Sequence, residues 1–145
     1  MSEPDVPTVT PDSAARLDAN RCFVCGPDNP LGLRLAFRMD GEVCRAEFTP
    51  GPFHCGYHEL VHGGILYSAL DDVMANWLFL KGERAHTARC EIRYREPCDL
   101  GDRLRLEGRL IRRKGRLAIL EGKAIRDGDN VVVAETEGTF MVVGG

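Results

Sequence analysis

The order of apolar patterns in this 145-residue chain predicts an α+β domain, with one long helix wrapped by a curved antiparallel sheet of about six strands. Two alternating runs come first, a single helical stretch follows, and four more alternating runs complete the chain. Turn signals separate the last four runs: Gly101-Asp102, Lys114-Gly115 and Asp127-Gly128-Asp129. The length is that of one domain with a substantial core.

Residues 1–19 are expected to form a flexible tail, because Pro4, Pro7 and Pro11 interrupt any regular pattern there. Residues 20–145 are expected to form the single domain. Its first segment, Cys22 to Pro30, has the composition of a loop. The strands are then predicted at Leu31–Arg38 and Glu42–Thr49 around the turn Met39-Asp40-Gly41, and near 86–96, 102–113, 116–127 and 130–142.

The helix is predicted from about Gly63 to Leu80, after a loop rich in glycine and histidine. A projection at about 100° per residue places its large apolar residues on one broad arc, which suits burial under a curved sheet. The opposite arc is small and polar and carries no Lys, Arg or Glu before Lys81. This second arc is therefore predicted to pack against another subunit or to line a cleft. Its members are Gly64, Ser68, Asp71, Asp72, Ala75 and Asn76, with Ile65 and Phe79 as apolar exceptions.

Composition excludes several classes of function. The formal charge of −3 gives no basic field that would attract nucleic acid or an anionic membrane. The longest apolar run, Ile65 to Leu80, is too short and too charged to span a bilayer. No terminal segment has the pattern of a signal peptide, so the six cysteines are expected to be reduced thiols in a cytoplasmic protein.

The start of the helix and its two aspartates predict a hydrolytic site. Free N–H groups and the positive end of the helix dipole at Gly63 and Gly64 can receive a developing negative oxygen. Asp71 and Asp72 lie in an otherwise apolar helix, where an ionised carboxylate is costly unless it is paired or used. A general base and an oxyanion donor about two turns apart on one helix fit hydrolysis.

Three segments, in this order and with these intervening elements, resemble the hotdog-fold acyl-CoA thioesterases of the PaaI-like (phenylacetyl-CoA-thioesterase-like) group. The resemblance extends from about Cys22 to Val143. It implies hydrolysis of an acyl-CoA thioester to a free acid and coenzyme A, without a cofactor, by a homodimer that pairs into a dimer of dimers. The segments are Cys22-Phe23-Val24-Cys25-Gly26-Pro27-Asp28-Asn29-Pro30-Leu31-Gly32-Leu33, His62-Gly63-Gly64 with Asp71, and Ile92-Arg93-Tyr94-Arg95-Glu96-Pro97.

The resemblance assigns roles by position. Asp71, nine residues after His62, matches the catalytic carboxylate, which acts as general base or as nucleophile. Gly63 matches the residue whose N–H polarises the thioester carbonyl, and His62 is expected to orient the helix entry. Thr87 matches a position that helps to hold the attacking water. Asp72 is the alternative base, although an interface or cap-like role is favoured for it.

One departure concerns the attacking water. Some members of the group place Asn or Gln six residues before the histidine, where this chain has Gly56. His54, His58 or Glu59 in the same loop are the candidates to replace that function.

Two sets of residues are expected to bind the substrate. Gly64, Tyr67 and Ser68 lie beside the predicted site, although a contact across a dimer interface is an alternative for Ser68. The hairpin tip contains Arg113, Lys114 and Arg116, which suit the phosphates of coenzyme A. A solvated turn is the other interpretation of the tip. Two rival functions stay open, a non-catalytic acyl-CoA-binding module and a hydratase on the same fold.

Cys22 and Cys25 form a Cys-x-x-Cys pair with three interpretations. They pack as small apolar residues in a folded loop, which is the favoured reading. They provide half of a zinc site that His54, Cys55 or His58 completes. They form a redox pair, although they enter a proline-rich turn rather than a helix. No metal is expected.

Overall fold

A computed structural model of the chain describes residues 19–144. They belong to two compact units, the first ending at Ala36 and the second beginning at Phe37. Each unit is described by itself. The predicted flexible tail, residues 1–19, lies outside the described residues except for Ala19, and the extent of the predicted single domain stays a prediction.

The first unit, residues 19–36 in the described part, consists of turns. The N–H groups of Leu33 and Leu35 donate to the carbonyls of Phe23 and Val24, each at 2.8 Å. Arg34, between them, has a φ of 55°, which an extended strand does not accommodate. The strand predicted at Leu31–Arg38 is therefore wrong, because these residues bond back onto the preceding loop.

The second unit confirms the predicted fold class: one helix packs against a curved, six-stranded antiparallel sheet. No helix within residues 19–144 is long and apolar enough to cross a membrane. The helix α1 spans Gly63–Phe79. The strands are β1 Arg38–Asp40, β2 Val43–Phe48, β3 Arg84–Tyr94, β4 Leu104–Lys114, β5 Leu117–Arg126 and β6 Val132–Gly144.

The strands are ordered β1-β2-β4-β5-β6-β3, so that β3 forms one edge of the sheet. The two hairpins β1–β2 and β4–β5 close through two-residue turns that begin with Gly41 and Gly115, both at a φ of +60°. Residues alternate between a helix-facing side and an outer side, and the core lies between the helix and the former. The largest fully buried core side chains are Phe140, Leu70, Met74, Leu78, Leu104, Leu106, Leu120, Val73 and Val133.

The middle of α1 lies directly on the backbone of β4 and β5. A Cβ atom on Gly108 would stand 2.7 Å from the carbonyl oxygen of Val73, and one on Gly122 would stand 3.3 Å from that of Leu70. These glycines are cross-strand partners, so the two strands together form a flat seat for the helix. The distance between helix and sheet depends on this seat.

The close packing of α1 on Gly108 and Gly122 leads to a prediction about stability. Gly108→Ala should lower the free energy of unfolding by about 2–3 kcal/mol, because the new methyl group meets helix backbone that cannot move aside. Chemical denaturation of wild type and variant measures the difference. Gly128→Ala is the matched control, since a Cβ there has no neighbour within 4 Å, and it should change stability by less than about 0.5 kcal/mol. Equal effects at both positions would contradict the close approach.

Candidate active site

His62 ends the loop and caps α1. Its backbone is extended, with φ −64° and ψ 131°, and its Nδ1 accepts the N–H of Gly64 at 2.8 Å. The neutral ring therefore carries its proton on Nε2. Gly63 is the first residue of the helix, so its N–H has no carbonyl one turn earlier in the helix to bind. Of the two glycine N–H groups, that of Gly63 is thus the one left to receive a ligand oxygen.

Asp71 lies two turns further along α1, where it meets the edge strand. The hydroxyl of Thr87 donates to Oδ1 of Asp71 at 2.8 Å. The structure thus brings together the two side chains that the sequence assigned to the carboxylate and the water. Asp71 is half-buried and Thr87 is exposed, so the pair lies where the helix meets the free edge of the sheet.

An irregularity in β3 makes this contact possible. Thr87 pairs with Phe140 and Arg89 pairs with the adjacent Thr139, so Ala88 is an extra residue in the strand. In a regular strand Thr87 would share a side with Arg89, which faces away from the helix. The bulge reverses this, and Thr87 joins Tyr94 on the helix-facing side. The sequence alone does not reveal this bulge.

Asp72, the neighbouring carboxylate, turns toward the other end of the sheet. The side-chain amide of Asn76 donates to its Oδ2 at 3.0 Å. Burial raises the pKa of the Cys44 thiol on β2 to about 12, and the charge of Asp72 adds to that rise. Asp71 therefore faces β3 and Asp72 faces β2, at opposite sides of the six-stranded sheet. The interface or cap-like role expected of Asp72 stays a prediction.

Tyr67 lies one turn before Asp71 and contacts the next helix-facing residue of β3. Burial raises the pKa of Tyr67 to about 12, and the hydrogen bond between its hydroxyl and Cys90 adds to the rise. The Sγ of Cys90 lies 2.9 Å from Oγ1 of Thr136, which in turn donates to the carbonyl of Glu91 at 2.7 Å. The thiol therefore donates to Thr136. Tyr67 keeps its proton at neutral pH, so an uncharged side chain lies one helical turn from Asp71.

Tyr94 is a residue of the site to which the sequence assigned no role. Its hydroxyl donates to the carbonyl of Gly63 at 2.8 Å. Partial burial raises its pKa, so the hydroxyl keeps the proton that it donates. The third family segment contains this residue, which was the available signal. Only the structure shows that it reaches the start of the helix.

The other predicted substrate contacts differ in their surroundings. The hydroxyl of Ser68 donates to the carbonyl of Gly64 within the helix at 2.8 Å. The guanidinium of Arg113 binds both carboxylate oxygens of Glu83 at 2.6 Å and lowers the pKa of that carboxyl. Lys114 and Arg116 are exposed, and no carboxylate lies within 4 Å of either among the described residues. The hairpin tip therefore presents these two cations while Arg113 holds the turn.

Gly56, at the position where the resembled group places a water-orienting Asn or Gln, lies close to the helix cap. A Cβ there would stand 3.3 Å from the Cα of His62, so the loop closes against the helix cap. Of the candidates to replace that function, His54 accepts the N–H of Gly51 at 2.9 Å through Nδ1. His58 and Glu59 are exposed and lie 3.8 Å apart. That His54, His58 or Glu59 takes over the water-orienting function stays a prediction.

The Cys-x-x-Cys pair lies in the first unit. The N–H of Cys25 donates to Sγ of Cys22 at 3.5 Å, and Gly26 donates to the carbonyl of Cys22 at 2.9 Å. Across residues 19–144, neither His54 nor Cys55 nor His58 joins a group of three or more ligand-type side chains that could hold a metal ion. The zinc site completed by those residues is thus unsupported.

Comparisons with known proteins agree with this fold. A solved thioesterase superfamily protein shares 29% identity and a TM-score of 0.75, covering 81% of this chain and 61% of that one, less than two thirds of its length. PaaI of E. coli, from the phenylacetic acid degradation operon, has 22% identity and a TM-score of 0.72 over 78% of this chain and 82% of its own.

A hypothetical thioesterase protein of Streptococcus pneumoniae TIGR4, solved with coenzyme A, has 17% identity and a TM-score of 0.71 over 76% of this chain and 89% of its own. No curated protein matches the chain. A family model that describes the thioesterase superfamily matches residues 58–133, which include the helix cap, Asp71, Thr87 and Tyr94. Because this match covers more than half of the sequence and the fold agrees, the chain belongs to the thioesterase superfamily.

Proposed function

We propose that this protein hydrolyses an acyl-CoA thioester to a free acid and coenzyme A, with the carboxylate of Asp71 as general base or nucleophile. The observation that carries the proposal is the 2.8 Å hydrogen bond between Thr87 and Asp71, on a helix that begins with His62 and Gly63. Thr87 donates to one oxygen of the carboxylate and so fixes the orientation of the group that acts in this proposal. Attack on the carbonyl expels the thiolate of coenzyme A, a good leaving group.

Gly63 supplies the electrostatic part of the mechanism. Negative charge builds on the thioester oxygen in the transition state, and a preorganised N–H at a helix start stabilises it by about 3–4 kcal/mol. Because His62 already accepts the N–H of Gly64, Gly63 is the donor in this proposal. His62 acts by holding the helix entry and not by proton transfer.

One site needs two subunits. Gly63 and Asp71 are eight residues apart on one uninterrupted helix, which separates them by about 12 Å along its axis. A carbonyl and one attacking water span less than this, so the two groups of one helix are too far apart to act together, unlike the expectation from the sequence. We therefore pair Asp71 of one protomer with Gly63 of the partner subunit. Within residues 19–144 no strand pairs with the outer edge of β3, which carries Thr87 and Tyr94, and this edge supports such a dimer.

Coenzyme A as the leaving group is supported by two structural neighbours, one solved with coenzyme A and one bound to acetyl CoA. The exposed cations Lys114 and Arg116 fit its phosphates. In the register of the sheet, Arg113 and Thr87 share one row three strands apart, which is about 14 Å. A nucleotide at the hairpin tip therefore lies within reach of an extended chain that ends at Asp71.

Substitution of the carboxylate tests the reaction directly. Asp71→Asn should lower kcat for the preferred acyl-CoA by at least about a hundredfold, because the amide is neither base nor nucleophile. Thiol release from aryl, short-, medium- and long-chain acyl-CoAs measures it. Asp72→Asn is the matched control and should retain most of the activity. Loss of activity in Asp72→Asn alone would assign the catalytic carboxylate to Asp72. Binding of acyl-CoA by the wild type without turnover would favour the non-catalytic binding module.

The shared site predicts complementation between two inactive variants. Gly63→Pro removes the N–H of Gly63, while proline suits the first helical position after the extended His62. Gly63→Pro and Asp71→Asn should each be inactive alone, but mixed dimers contain one intact site and should recover up to about half the activity per dimer. Co-expression with two affinity tags isolates the mixed dimers. Recovery absent from verified mixed dimers would place both groups in one protomer.

The hairpin tip can be tested with a truncated substrate. Replacing both Lys114 and Arg116 with Gln should raise KM for acyl-CoA by about tenfold, because two phosphate contacts are lost. The same variant should hydrolyse the corresponding acyl-pantetheine, which lacks the nucleotide phosphates, like wild type. An equal loss with both substrates would show that the tip acts on the fold and not on phosphate.

A further inference from the structure

The peptide group between Gly63 and Gly64 is held at both of its ends. Its carbonyl accepts the hydroxyl of Tyr94 at 2.8 Å, and its N–H donates to Nδ1 of His62 at 2.8 Å. One contact comes from the edge strand β3 and the other from the cap of the helix itself. A single peptide unit at the start of α1 is therefore clamped by two side chains.

The N–H of Gly63 lies in the neighbouring peptide group, which is anchored as well. That N–H belongs to the preceding peptide group, whose carbonyl on His62 accepts the N–H groups of Ile65 at 3.0 Å and Leu66 at 3.3 Å. Both peptide groups that flank the α carbon of Gly63 are thus anchored. Glycine has more backbone freedom than any other residue, so each of these anchors narrows the range of directions that the N–H takes at the first residue of the helix.

Tyr94 also packs against the α carbon of Gly63. A Cβ on Gly63 would stand 3.3 Å from both Cζ and the hydroxyl oxygen of Tyr94, so a side chain there would require the phenol ring to shift by a few tenths of an ångström. The ring therefore contacts the same residue whose carbonyl its hydroxyl binds.

We propose that Tyr94 is a positioning residue for the oxyanion donor: its hydroxyl holds the Gly63–Gly64 peptide and so keeps the N–H of Gly63 aimed at the thioester oxygen. This inference rests on the proposed function. Tyr94 acts through Gly63, and its contribution appears only when charge develops on that oxygen. Its loss therefore lowers kcat and leaves substrate binding nearly unchanged.

Kinetics separate this role from substrate binding. Tyr94→Phe keeps the ring and removes the hydroxyl, and kcat should fall by about tenfold while KM stays within about twofold. Tyr57→Phe removes a hydroxyl from a residue that is 86% exposed, and it should leave both constants unchanged. A change confined to KM, or a kcat within twofold of wild type, would overturn the proposal.

Double variants test whether Tyr94 and His62 hold one peptide. His62→Ala releases the other end, so adding Tyr94→Phe to it should cost less than Tyr94→Phe costs alone. Thr87→Val acts on Asp71 instead, and its effect should multiply with that of Tyr94→Phe. If the effect of Tyr94→Phe multiplies with that of His62→Ala as well as with that of Thr87→Val, the proposal that Tyr94 and His62 hold one peptide group is overturned.

Nuclear magnetic resonance tests the clamp without any turnover. His62-Gly63 is the only His-Gly pair in the chain, so carbonyl-¹³C histidine with ¹⁵N glycine labels the amide of Gly63 alone. Its order parameter should fall from the rigid range of about 0.85 toward about 0.6 in Tyr94→Phe and stay rigid in Tyr57→Phe. An unchanged order parameter would overturn the clamp. If the order parameter falls in Tyr94→Phe but the wild-type protein hydrolyses no thioester, the proposed function is refuted while the clamp is supported.

Discussion

The close approach of helix to sheet at Gly108 and Gly122 is the constraint on which the rest of this structure depends. Helix backbone at Leu70 and Val73 meets strand backbone with no side chain between them. The two sides of the helix therefore lie close enough to the sheet for side chains of the outer strands to contact them. Asp71 meets β3 on one flank, and Asp72 lies near β2 on the other.

The edge strand β3 connects the two chemical features of the helix. Thr87 binds Asp71 near one end of the strand, and Tyr94 binds the carbonyl of Gly63 at the other. The bulge at Ala88 is needed for both contacts, since without it the two side chains would face opposite sides of the sheet. The irregularity in this edge strand, which pairs with β6 alone in the described sheet, is therefore what allows both contacts.

Two adjacent carboxylates acquire different surroundings because a helix turns by about 100° per residue. Asp71 is half-buried and accepts from the exposed hydroxyl of Thr87 at the edge of the sheet. Asp72 accepts from the amide of Asn76, which is only 3% exposed. The difference between the two residues is therefore one of position on the helix and not of type, and it supports Asp71 as the reacting carboxylate in the proposed mechanism.

The sequence by itself determined the order of the elements, the helix with its polar arc, and the grouping of His62, Gly63 and Asp71 at that helix. These follow from local periodicity, from turn residues and from spacing along one element, which short stretches of chain contain. The prediction of a first strand at Leu31–Arg38 was wrong, because the N–H groups of Leu33 and Leu35 donate to carbonyls of the preceding loop.

Only the tertiary structure decided that Thr87 faces the helix, that Arg113 is occupied by Glu83, and that Tyr94 reaches Gly63. Each of these depends on a strand register or on a contact between residues 16 to 31 positions apart. Register is set by the pairing of whole strands, and no local pattern reveals it.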